Sequence, residues 1–64
     1  MIGGSDLAKL VYLYLEQVGD ASVGELRDVL GVSFLRLYPV LSSLEERGFI
    51  EYVSGERVCL VSRP

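Results

Sequence analysis

The chain has 64 residues, half of them hydrophobic, with six basic side chains against nine acidic ones and a formal net charge of −3. One cysteine excludes an internal disulfide. The lack of histidine excludes a Cys/His zinc cluster and the usual serine, cysteine and zinc catalytic constellations, so no enzyme activity, metal or cofactor is expected.

The length predicts one domain, residues 1–64, too small to bury all of its apolar surface, and a symmetric dimer interface is a natural destination for the rest. No apolar run approaches the roughly 18 residues of a membrane span. The Met1-Ile2-Gly3-Gly4 start lacks the regions of a signal peptide, which predicts a cytoplasmic protein. Few amide side chains and five arginines to one lysine suit a thermophilic source.

The first helix is expected over residues 6–18, with Ser5 as N-cap and Asp6 in the first turn, where a carboxylate suits the helix dipole. Leu7, Leu10, Val11, Tyr14, Leu15 and Val18 follow amphipathic spacing and form the expected inward stripe. Tyr12 and Leu13 lie at its edges and widen the apolar face, which reads as peripheral packing or as a homodimer contact. Gly19 ends the helix, and Asp20-Ala21-Ser22 forms a connector with a short bridge to a later strand.

Ser22-Val23-Gly24-Glu25 has capping-box form, with Ser22 bonding the Glu25 amide and Glu25 reaching back. A second helix over 23–30 turns Leu26, Val29 and Leu30 inward and stops at Gly31. After a tight turn, Ser33 is the natural N-cap of a third helix over 34–47, whose buried stripe is Leu37, Val40, Leu41 and Leu44. Pro39 would cost an interior hydrogen bond. Regular helix starting near Leu35 or Arg36 would place it in the first turn, behind a loose or kinked start. Arg47 suits the dipole at the far end.

Beyond Gly48, two strands rich in β-branched and aromatic residues form a hairpin over 49–62. A three-residue Ser54-Gly55-Glu56 loop puts Ile50, Tyr52, Val58 and Leu60 on the face toward the helices, with Glu51, Val53, Arg57, Cys59 and Val61 on the other. A two-residue loop would regroup these sets, and the three-residue register is preferred because it buries the better one. Cys59 reads as a small buried hydrophobe. A short helix, a glycine turn, a longer helix and a hairpin specify an α+β, mostly α fold: a three-helix winged helix-turn-helix with a C-terminal β-hairpin wing.

Residues 33–51, with Leu37-Tyr38-Pro39, Leu41, Leu44-Glu45 and Gly48-Phe49-Ile50, resemble the third helix of PadR-type transcriptional regulators. The Leu-Glu-Glu-Arg-Gly-Phe-Ile half is shared with winged-helix families generally, including MarR-like and archaeal regulators. The resemblance implies a DNA-binding transcription regulator. PadR proteins usually continue into a C-terminal dimerisation helix, whereas this sequence ends at Pro64. They also tend to carry basic residues along the third helix and wing, where this chain has Ser42 and Ser43.

For DNA binding, the third helix would enter the major groove with the face opposite its buried stripe. Leu35, Pro39, Ser42, Ser43 and Glu46 lie there, flanked by Arg36 and Tyr38. Arg36 suits a guanine edge or a phosphate, and the serines suit either. Ser33 and Arg57, the latter on the wing, complete the candidate set, and Lys9 and Arg27 would add phosphate contacts. Both Arg36 and Arg57 read equally well as surface arginines, and Glu46 would repel phosphates. The double-stranded DNA partner is conditional on a local basic edge, because a pI near 4.6 sets the whole domain against a phosphate backbone. Screening over roughly 8–10 Å leaves room for such an edge. The alternative is a winged-helix protein-docking module, favoured by an uncharged and partly apolar outer face.

Overall fold

The computed structural model describes residues 5–61, with side chains from Leu7 onward. Its elements are α1 (Ser5–Val18), β1 (Asp20–Ser22), α2 (Val23–Leu30), α3 (Phe34–Glu46), β2 (Ile50–Ser54) and β3 (Arg57–Leu60). The strands form an antiparallel sheet in the order β1-β3-β2. The short bridge expected at 20–22 is thus a full strand, paired Asp20 to Cys59, Ala21 to Val58 and Ser22 to Arg57. This is the expected winged helix-turn-helix. The capping role expected of Ser5, the first-turn carboxylate of Asp6 and the hairpin end at residue 62 lie outside the described residues.

Val11, Leu15, Ala21, Val23, Leu26, Leu37, Leu41, Leu44, Ile50 and Val58 form one buried core drawn from every element. Two expectations for the helices are corrected. On α1, Leu10 and Val18 are 46% and 45% exposed, and the packed side centres on Val11 and Leu15 with Ala8 and Tyr14 beside them. Apolar residues surround most of this helix, so spacing alone left the centre of its stripe undefined. On α2, Val29 is 52% exposed because Val23 and Leu26 occupy the inward positions of a helix of only 8 residues.

The Ser22 hydroxyl accepts from the Glu25 amide at 3.0 Å, as the capping box requires. The reciprocal half is absent: the Glu25 carboxylate accepts instead from the Tyr14 hydroxyl of α1 at 2.5 Å. A contact to a neighbouring helix has displaced a local one. Gly31 then closes α2 in the left-handed conformation, its amide donating to the Arg27 carbonyl at 2.9 Å.

Ser33 has the extended backbone of an N-cap, but its side chain makes no capping hydrogen bond. The helix starts at once: the Arg36 and Leu37 amides both donate to the Ser33 carbonyl, at 3.1 and 3.0 Å. Pro39 therefore lies in the second turn of α3 rather than the first, which corrects the expected late start. Its ring leaves the Leu35 carbonyl without the usual amide donor. Both residues are exposed, so water can satisfy that oxygen.

Gly48, at φ 83°, turns the chain out of α3 while Phe49 donates to the Leu44 carbonyl at 2.9 Å. A residue with a Cβ resists that conformation, which is why this handover from helix to strand needs glycine. The hairpin turn is shorter than expected. Ser54 pairs with Arg57, leaving Gly55-Glu56 as the turn, and Val53 is an extra residue bulged out of the ladder. The bulge restores the register that a two-residue turn alone would shift. Tyr52 still faces Val58 and Ile50 still faces Leu60, as expected.

Candidate nucleic-acid interface

Burial of Leu37, Leu41 and Leu44 fixes the rotation of α3, and everything opposite them faces solvent. Leu35 is 87% exposed, and Arg36, Tyr38, Pro39, Ser42 and Ser43 are exposed along the same helix. Ser33 is also exposed, and its hydroxyl is free of capping duty. The seven candidates read from α3 and its cap thus belong to one solvent-facing helix.

Arg57 is placed differently. It starts β3, and its guanidinium donates to Asp20 of β1 at 2.7 Å, which raises its already high pKa. The hydrogen bond is the main cause and the Asp20 charge the second. The wing arginine is therefore engaged at the β1 side of the sheet. The neighbouring turn is tied down too, because the Glu56 carbonyl accepts from the Val23 amide at the start of α2 at 2.9 Å.

One cluster was missed in reading the spacing. The Phe34 ring stacks on Tyr38 at 5.6 Å and 24°, and the Arg27 guanidinium sits 5.0 Å from the Phe34 centroid. Arg27 also bonds Asp28 at 3.0 Å. The i, i+4 placement of Phe34 and Tyr38 was a usable signal for the aromatic pair; the approach of Arg27 across the α2–α3 turn was not. Tyr52 of β2 lies within electrostatic reach of Tyr38 and Glu45 on α3. Partial burial raises its phenol pKa first, followed by the charges of Glu45 and Tyr38.

The resulting surface mixes Arg27 and Arg36 with hydroxyls, aromatic rings and the apolar tips of Leu35 and Pro39. It can donate hydrogen bonds to phosphates and base edges and make apolar contacts with thymine methyls. Among the described residues, no group of three His, Cys, Asp or Glu side chains comes together to hold a metal ion.

Comparison with known families completes the picture. The family model described as "Sugar-specific transcriptional regulator TrmB" matches residues 3–63, nearly the whole chain. The chain belongs to the TrmB family. This is a family of transcriptional regulators rather than of enzymes, and it marks the TrmB-family chain as a winged-helix, DNA-binding regulator domain. No curated protein and no solved structure matches it. Among the described residues, no helix is long and apolar enough to cross a membrane.

On the other side of α3 from its exposed face, an open apolar groove of about 370 Å³ runs between α1, the end of α3 and the start of the wing, lined by Ala8, Lys9, Tyr12, Leu13, Leu44 and Phe49. The Tyr12 and Phe49 rings meet edge to face at 6.0 Å and 89°. Packing of Tyr12 thus accounts for part of the surplus α1 surface, while Leu13 remains 46% exposed.

Proposed function

We propose that this TrmB-family domain binds a specific double-stranded DNA sequence by placing α3 in the major groove and its wing on the adjacent backbone. The observation that carries this reading is the solvent face of α3, where Arg36, Ser42 and Ser43 stand free opposite the buried leucines. Arg36 pairs with a guanine edge or a phosphate. Ser42 and Ser43 bond bases or phosphates, and Leu35, Tyr38 and Pro39 supply apolar contact with the groove wall. Ser33 offers its free hydroxyl to a phosphate. Arg57 joins from the wing by exchanging Asp20 for the backbone. The domain acts as a homodimer through α1, around Tyr12 and Leu13, in the cytoplasm. The Leu37-Tyr38-Pro39 likeness supports kinship with PadR-type regulators, the Leu44–Ile50 ending shared with archaeal regulators supports an archaeal source, and the amide-poor, arginine-rich composition supports a thermophilic one.

The test is affinity for duplex DNA, selected from a random pool, at two salt concentrations. Specific binding that weakens steeply with salt is expected, because phosphate contacts release counterions. Absence of duplex binding even at low salt would falsify this reading.

A second reading, protein docking, has one specific observation in its favour. Arg27, Phe34 and Tyr38 form an arginine–aromatic cluster beside the exposed Leu35, the composition of an interface hot spot. Phe34→Ala discriminates between the two. It leaves phosphate-driven DNA affinity largely in place, but abolishes capture of a protein partner that docks on this cluster.

A further inference from the structure

Lys9, Tyr12, Leu13 and Glu16 occupy i, i+3, i+4 and i+7 of α1 and so share one face of that helix. Lys9, Leu13 and Glu16 are exposed and Tyr12 is half-buried. The charges are arranged with a particular symmetry. The midpoint of Lys9 and Glu16 is also the midpoint of Tyr12 and Leu13, with a cation two turns from an anion, about 10 Å along the axis. A two-fold axis through that point brings an antiparallel copy of α1 into place. Lys9 then faces Glu16 of the second copy, Glu16 faces its Lys9, and the Tyr12–Leu13 pairs fill the middle. A parallel arrangement would set like charges against each other at both ends.

Taking the homodimer of the proposed function as its starting point, we infer that this face is a self-complementary interface that joins two copies through antiparallel first helices. The occupant of the groove between Tyr12 and Phe49 is then Leu13 of the second copy, which such pairing sets opposite Tyr12. The groove is open and apolar, and its volume exceeds that of a leucine side chain. Its rim carries Lys9, placed to meet the partner's Glu16 as the helices close. An isologous contact of this kind contributes every element twice.

The experiment is sedimentation equilibrium of the 64-residue chain, which reads mass and is therefore independent of any DNA result. The expected mass rises from 7.1 kDa toward twice that value as concentration reaches the high micromolar range. Leu13→Glu remains monomeric with an unchanged helical circular dichroism spectrum. Lys9→Glu and Glu16→Lys each weaken self-association by about tenfold or more, through like-charge contacts at both ends. Combining the two substitutions in one chain restores association. An equimolar mixture of the single variants forms the heterodimer, in which all end pairs are again opposite. A wild-type chain that stays monomeric throughout, a dimer that survives Leu13→Glu, or charge reversals that the double variant fails to rescue would each overturn the inference.

Discussion

Arg57 at the start of β3 donates to Asp20 at the start of β1 at 2.7 Å, with both side chains about half exposed. The pair bridges the two strands at the side of the sheet away from β2, and it takes up the charge that a wing arginine would otherwise offer to DNA. An exposed ion pair contributes little to stability. The stronger consequence of the pairing is electrostatic: Asp20 places a carboxylate beside the guanidinium.

Asp20→Asn is accordingly expected to leave thermal stability nearly unchanged while tightening duplex binding. The salt dependence should steepen by about one phosphate contact as Arg57 is released. Fluorescence anisotropy across a salt series reads both effects. An unchanged slope would mean that Arg57 does not reach the backbone.

The Tyr14–Glu25 hydrogen bond makes a prediction about pH. The bond raises the Tyr14 phenol pKa above its ordinary value of 10.0, with desolvation and the Glu25 charge adding to it. A phenol with a raised pKa in the fold holds its proton longer than in the unfolded chain. Its stabilising contribution is thus complete below the unfolded pKa and lost as pH climbs through the folded one. In a spectrophotometric titration of phenolate, Tyr14→Phe should remove one late-titrating phenol, and Glu25→Gln should move that phenol back toward normal. The late titration of Tyr52 should persist in both variants.

Cys59 lies on β3 with its thiol 4.0 Å from a Glu51 carboxylate oxygen on the neighbouring strand. Partial burial raises its pKa first, then Glu51, then Asp20. The folded protein should therefore react slowly with a thiolate-selective alkylating reagent at mildly alkaline pH, because little thiolate is present. Glu51→Gln should accelerate the reaction without changing the circular dichroism spectrum. Equal rates in the two proteins would show that the neighbouring carboxylate does not govern the thiol.

Two leucines should separate fold from interface. Leu26 is fully buried, so Leu26→Ala should cost about 2–5 kcal/mol, a large share of the roughly 3–10 kcal/mol expected for a domain of this size. Leu35 stands out from α3, so Leu35→Ala should shift stability by no more than about 0.5 kcal/mol while weakening DNA binding. Chemical denaturation paired with anisotropy distinguishes the two. A stability loss at Leu35 comparable to that at Leu26 would show that it packs in the core.

Local chemistry was legible where it acts over a few residues. The α3 stripe of Leu37, Leu41 and Leu44, the Ser22 cap and the glycine stops at 31 and 48 could be read from spacing, because each depends on neighbours within a turn or two. The pairs Ile50–Leu60 and Tyr52–Val58 follow from the sequence in spite of the shorter turn, since the Val53 bulge compensates for it, but Tyr52 is 38% exposed and not covered by the helices. On α1 the spacing points the stripe toward Leu10 and Val18, because the unbroken apolar run from Leu10 to Leu15 goes all the way round the helix and carries little directional information. The candidate DNA-contacting residues of α3 were found as one face, whereas the Phe34–Arg27 contact lay across an interhelical turn and was missed.

By itself, then, the sequence determined the order of elements, the glycine stops of α2 and α3 and the outward face of α3, all consequences of backbone periodicity and of residues that terminate a helix. Tertiary structure alone decided which polar side chains pair across elements. Glu25 turns to Tyr14 rather than to its own helix, and Arg57 turns to Asp20 rather than to open solvent. These partners are 11 and 37 residues apart, brought within reach only by helix packing and strand register. Spacing specifies which way a side chain points, and packing decides what it meets there.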